Sequence, residues 1–195
     1  MGSMKFVERM LFGGAIFAEL PESFFDTRVS SKIREIPDHQ EVYLDRDGFS
    51  SITFDILERV TETATDEAAL LYHLFDIVEA TDRVCITNPS LVDLPHCPVS
   101  AYRMVASTRP GLNKDGGKDF TILILLLIRL EMQDTDVLIS VNLPYRGKQF
   151  TADVVDLEIS IGSGVVNDSL ELGLDMLDTI RRSFQIRDWG LFGDG

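Results

Sequence analysis

Asp38, Glu41, Asp55 and Glu58 are the side chains whose types and spacing could carry chemistry in this chain. They form two pairs, each three residues apart. Paired carboxylates do acid–base work when their environments push their pKa values apart. The same residues could equally be solvated pairs on a hairpin. A third use is an acidic patch that grips the basic residues of a partner. The residue types alone leave these three uses open.

Other chemical motifs fail on spacing. Gly111, Gly116, Gly117 and Lys118 suggest a phosphate-binding loop. That loop needs Gly, four residues, then Gly-Lys-Ser/Thr between a strand and a helix. Here Gly117 takes the lysine position, Asp119 follows Lys118, and an apolar strand pattern comes next. Asp45-Arg46-Asp47-Gly48 hints at a calcium loop, but its Gly comes too early and Ile56 stands where the closing Glu belongs. Ser163 lies between Gly162 and Gly164 without the outer spacing of a nucleophile elbow. His39, His73 and His96 are scattered, and a lone histidine is more often a surface or hydrogen-bonded residue than a ligand. Cys85 and Cys97 match no zinc or redox spacing and read as two free thiols. No catalytic residue, metal site or cofactor is expected.

The elements that must position the carboxylates follow from periodicity. Met10 to Leu20 is apolar around Gly13-Gly14 and reads as one bulged strand ended by Pro21. Glu22 to Ile36 reads as a helical turn plus loop, with Pro37 keeping Ile36 extended. Glu41 to Leu44 and Ser50 to Leu57 read as strands of a hairpin around Asp45-Arg46-Asp47-Gly48. Thr65 or Asp66 caps a helix whose apolar positions are Leu71, Leu74, Phe75 and Val78. Thr81 to Pro98 is irregular, with one short strand. Val99 to Ser107 is a strand, and Arg109 to Gly117 a turn or loop. Phe120 to Met132 is a long central strand, with a buried helix as its rival. Asp134-Thr135-Asp136 turns the chain so that Val137 to Leu143 pairs back. Gly147 to Gly164 is polar, with a short edge strand at Val154 to Ile159. Asn167 to Ile186 is an amphipathic helix with Leu170, Leu174, Leu177, Ile180 and Phe184 on its apolar stripe. The closing Trp189-Gly190-Leu191-Phe192 should dock on the body, because exposing it would be costly. Hairpins with helices between them predict an α+β fold with an antiparallel sheet covered by helices.

Composition bounds the partners. The chain has 195 residues, enough for one domain with a sizeable core, read as 4–195 after an expression scar at Met1-Gly2-Ser3. The net charge is −14, from 32 acidic and 18 basic residues, which argues against binding a nucleic-acid backbone. It suits a basic protein partner reached by electrostatic steering. The longest apolar run, Phe120 to Ile128, is far short of the about 20 residues a membrane helix needs. No signal peptide is recognised, and nothing suggests an obligate oligomer, so a monomer is expected.

Three blocks combine Gly, Pro, aromatic and acidic residues beyond what packing demands. They are Leu11-Phe12-Gly13-Gly14-Ala15-Ile16, Ile36-Pro37-Asp38-His39-Gln40-Glu41-Val42 and Asp55-Ile56-Leu57-Glu58. Ile128-Arg129-Leu130, Thr135 to Pro144 and Leu191-Phe192 extend the pattern. In that order the set resembles the Ran guanine nucleotide release factors, the Mog family of nuclear import proteins. The resemblance implies an α/β/α sandwich with a central, mainly antiparallel sheet, similar to the PsbP fold. It implies binding to the GTPase Ran, release of its guanine nucleotide, no enzymatic chemistry, and residence in nucleus and cytoplasm, mainly nuclear. It places Asp55 and Glu58 in Ran contact, with Pro37, Asp38, Gln40 and Glu41 in the same region. His39 stands where the family more usually has Asn. Residues three apart on a strand face opposite ways, so a single patch requires the strand to break between Leu57 and Val60. An adaptor or small-ligand carrier on the same scaffold is the alternative, and an enzyme is third.

Overall fold

Two apolar layers with different partners organise the chain. The computed structural model describes residues 4–29, 36–110, 120–145 and 167–193. In chain order the strands are β1 Phe6–Leu11, β2 Ile16–Pro21, β3 Phe24–Asp26, β4 Gln40–Asp45 and β5 Ser51–Glu58. Helix α1, Asp66–Ile77, follows, then β6 Arg83–Ile86, β7 Ser90–Val92, β8 Ala101–Arg109, β9 Phe120–Leu130 and β10 Thr135–Tyr145. Helix α2, Asn167–Ser183, and β11, Gln185–Ile186, close the described chain, with a short 3-10 turn at Trp189–Phe192.

The large sheet runs β3-β4-β5-β10-β9-β8-β6, with β7 also on β8. A small sheet runs β1-β2-β11. Every pairing among the described residues is antiparallel. The fold is the α+β sandwich that the alternation of hairpins and helices predicts.

The central strand shows why. Alternate β9 side chains go to opposite faces. Leu123, Leu125 and Leu127 join Leu70 and Leu74 of α1, while Ile122, Ile124, Leu126 and Ile128 join Leu177 and Ile180 of α2 and Phe184 just after it. A strand buried on both sides has no polar alternation, which is why the run is continuous. Each such Leu or Ile contributes roughly 1.5–3 kcal/mol on burial. A buried helix at Phe120 to Met132 is excluded by the ladder to both neighbours. Gly173 lets α2 lie close, since a Cβ there would sit 2.6 Å from side-chain carbons of Ile124 and Leu143.

Several expectations change. Met10 to Leu20 is two strands of a hairpin rather than one bulged strand, because three successive residues, Phe12 (φ 50°), Gly13 (φ 68°) and Gly14 (φ 97°), take positive φ and reverse the chain. Glu22 to Ile36 contains β3 and a 3-10 turn at Thr27–Val29, and its residues 30–35 lie outside the described set. In α1 the buried residues are Ala69, Leu70, His73 and Leu74; Phe75 is exposed, so the inner face is rotated from the expected stripe. Thr65 caps that helix, accepting from the Ala68 N–H at 3.2 Å. Thr81 to Pro98 holds two short strands instead of one. Helix α2 stops at Ser183, and Gln185–Ile186 instead pairs with β2. Leu191 and Phe192 pack on the core as expected, but Trp189 remains 42% exposed. The expected loop through Gly111 and Gly117, the strand at Val154 to Ile159 and Ser163 lie outside the described residues.

Candidate functional site

Strand pairing decides what the acidic residues face. Gln40 stands opposite Asp55 across β4 and β5, and Glu41 stands opposite Phe54. Consecutive residues alternate, so the first pair lies on the α1 side of the sheet and the second on the α2 side. A turn bond from the Gln40 N–H to the Pro37 carbonyl, 3.0 Å, sets the entry to β4. Pro37, Asp38 and His39 are exposed at that entry.

On the α1 side, the Gln40 side-chain amide donates to Asp55 Oδ1 at 2.5 Å. Asp55 is half-buried, and burial pushes its carboxyl above the usual range despite the Gln40 and Thr53 hydrogen bonds that hold it down. Glu58 is exposed at the last position of β5, opposite Thr135. The strand stops there, inside the interval where a break is expected. Pairing is nevertheless regular up to Glu58, so alternation sends Asp55 toward α1 and Glu58 toward the other side at the strand's end. The two carboxylates therefore flank the rim at the end of β5 from opposite faces rather than standing side by side.

On the α2 side, Glu41 is fully buried and faces the interior rather than solvent. Its Oε1 accepts from the Phe12 backbone N–H at 2.5 Å and pairs with Arg28 at 2.6 Å, and Tyr43 donates to Oε2 at 3.3 Å. Desolvation raises its pKa, opposed by the Phe12 N–H and Arg28. Glu41 therefore ties the β1–β2 turn to the large sheet. The sequence blocks containing Gly13-Gly14 and Glu41 meet in space through this one carboxylate.

A second buried cluster holds the chain beyond Glu58. Asp136 Oδ2 accepts from Arg129 at 2.9 Å, from the Val60 N–H at 3.1 Å, and lies 2.8 Å from His73 Nε2. Arg129 also donates to the Val60 carbonyl at 2.9 Å, and its Nε forms an ion pair with Asp66 at 3.3 Å without hydrogen-bond alignment. Asp136 is part of β10, not of a turn, and is entirely buried. This cluster joins α1 to the sheet and pins the segment leaving Glu58. Sequence reading missed its role, although a signal existed: Arg129 and Asp136 are charges embedded in two otherwise apolar strands. Directly opposed on β9 and β10, they point the same way.

Among the described residues no group of three or more His, Cys, Asp or Glu could hold a metal ion. Among the described residues Cys85 and Cys97 form no disulfide. No described helix is long and apolar enough to cross a membrane.

Comparison with known proteins places this geometry. The family model described as Ran-interacting Mog1 protein matches residues 9–144, which include every residue of the candidate site. The chain is 28% identical to the probable Ran guanine nucleotide release factor of Dictyostelium discoideum, over 97% of this chain and 98% of that protein. It is 30% identical to the nuclear import protein MOG1 of Saccharomyces cerevisiae, over 98% of this chain and 87% of that protein. The solved structure of the Saccharomyces cerevisiae Ran-binding protein Mog1p superposes with a TM-score of 0.67 at 25% identity, covering 98% of this chain and all of that one. A family match across 9–144 and a relative 30% identical over nearly the full chain establish that the chain belongs to the Mog1 family.

Proposed function

We propose that this protein binds the small GTPase Ran, favours release of its guanine nucleotide, and supports nuclear import from the nucleus and cytoplasm. The observation that carries this reading is the family match over 9–144, which spans both β4 and β5. The contact surface is the rim formed by Pro37, Asp38, Gln40, Asp55 and Glu58. Glu41 acts from behind it, holding β4 to the β1–β2 turn.

The acidic rim docks on a basic face of Ran near its nucleotide. It binds the loosened, nucleotide-poor state better than the closed one, and only that difference in affinity drives release. No covalent step is involved. Gln40 matters because its amide fixes the Asp55 carboxylate, lowering the entropy lost on docking.

Ran loaded with a fluorescent guanine nucleotide tests the reading. The protein should accelerate release, and the Asp55→Lys, Glu58→Lys double variant should lose affinity by at least about tenfold, with an unchanged circular-dichroism spectrum. Acceleration insensitive to the folded double variant would move the site elsewhere. No acceleration, with no binding by calorimetry, would overturn the function itself.

A further inference from the structure

The molecule carries a net charge of −14, yet three arginines converge on one trough on the side of the large sheet away from Asp55. Two adjoining hollows form it, of about 570 and 480 Å³. Both are lined by Arg9, Asp26 and Val29, so they are continuous. Arg46 stands in the first and Arg187 in the second.

Arg9, Arg46 and Arg187 pair with no carboxylate among the described residues. Asp26 also lines the trough but is occupied by Arg28 at 3.0 Å, and Glu8 lies at its exposed margin. The Arg9 Nε is buried without a partner, while another of its nitrogens is fixed on the Phe24 carbonyl at 3.2 Å. The Arg187 guanidinium lies 4.3 Å from the centre of the Phe17 ring. Apolar surface fills the intervals between the charges. Val29 is 85% exposed there, and Phe25 and Phe17 form walls.

Guanidinium groups bind carboxylates through paired hydrogen bonds, and Arg stacked on an aromatic ring is already oriented to do so. A small anion would fill one hollow and leave the other's arginine unmet. An extended peptide presents alternating side chains along its length and reaches both. We propose that the trough docks an acidic peptide segment of a partner, with carboxylates on Arg9, Arg46 and Arg187 and interleaved apolar side chains on Phe17, Phe25 and Val29. The segment reads charge and hydrophobicity together. This site is distinct from the Gln40–Asp55 pair, which lies across the β4–β5 sheet from it.

The test uses a short fluorescein-labelled peptide alternating Glu with Val and Leu, followed by fluorescence anisotropy with the whole protein. Binding should weaken as salt rises. The Arg46→Glu, Arg187→Glu variant should lose affinity for the peptide by at least about tenfold while its acceleration of nucleotide release from Ran is unchanged. These two arginines make no ion pair among the described residues, so their reversal should leave the fold intact by circular dichroism. Equal affinity of the folded variant for the peptide would overturn the proposal. So would equal affinity of the native protein for polyglutamate lacking apolar residues, or binding of inorganic phosphate with none of the peptide.

Discussion

Gln40 and Glu41 are neighbours in sequence and strangers in space. Gln40 faces the α1 side, half-open to solvent, and steers one exposed-side carboxylate. Glu41 faces the α2 side, fully buried, and is surrounded by Phe12, Arg28 and Tyr43. The strand's two-residue period alone separates them. The difference teaches that adjacent polar residues of one hairpin can meet opposite surroundings. One acid on this hairpin offers charge outward, and the next holds the hairpin itself in place.

The comparison breaks most visibly at the buried acids. Asp136→Ala would leave Arg129 and His73 without their shared carboxylate and free the Val60 segment. A loss of about 4 kcal/mol is expected, read as a lower urea midpoint. Glu41→Ala should cost about 3 kcal/mol, since the Phe12 N–H and Arg28 both lose their acceptor. If Glu41→Ala instead kept its stability and abolished Ran binding, the division between outward and inward acids would fail. Gly14→Ala should cost about 1 kcal/mol, because φ of 97° strains any residue with a Cβ. That loss should leave the Gln40–Asp55 face unaffected in Ran binding.

The outward acid gives the smallest stability change and a pH signature. Asp55 has a folded pKa above its ordinary value of 3.8. Its contribution to stability is therefore fully present below the ordinary carboxylate pKa and is lost as pH rises through the raised folded value. Asp55→Asn should be slightly more stable than the native protein at neutral pH, by well under about 1 kcal/mol, with the gap closing in acid. Chemical denaturation across pH reads this directly. Ran affinity should move the opposite way. It should fall on acidification at a pH above the ordinary carboxylate range, as Asp55 takes its proton, and the Asn variant should lack that step.

Much of the frame was legible in the chain. The uninterrupted apolar run at Phe120 reads as a strand buried on both faces, with a buried helix as its rival; the ladder to both neighbours decides for the strand, and both helices lie there to bury it. The β4–β5 hairpin followed from its turn residues and alternation. The hairpin at Gly13-Gly14 was not legible, because glycine marks both bulges and turns, and only three consecutive positive φ angles distinguish them. The inner face of α1 was misjudged for a related reason. Leu71 and Phe75 carry the larger apolar side chains, but Ala69 and His73 fit the close approach to the sheet that Asp136 enforces.

The candidate site divides the same way. Residue types and order marked the family resemblance, and that resemblance implied Pro37, Asp38, Gln40, Glu41, Asp55 and Glu58. They could not say that Glu41 turns inward, that β5 stays regular to Glu58, or that Arg9, Arg46 and Arg187 gather on the far side. Periodicity and composition are local properties, so the sequence determined the elements, the doubly buried central strand and the acidic character of the rim. Which carboxylates meet solvent and which meet arginine depends on the register and packing of strands distant in the chain. Those are settled only when desolvation and pairing are satisfied together, and that balance exists only in the folded protein.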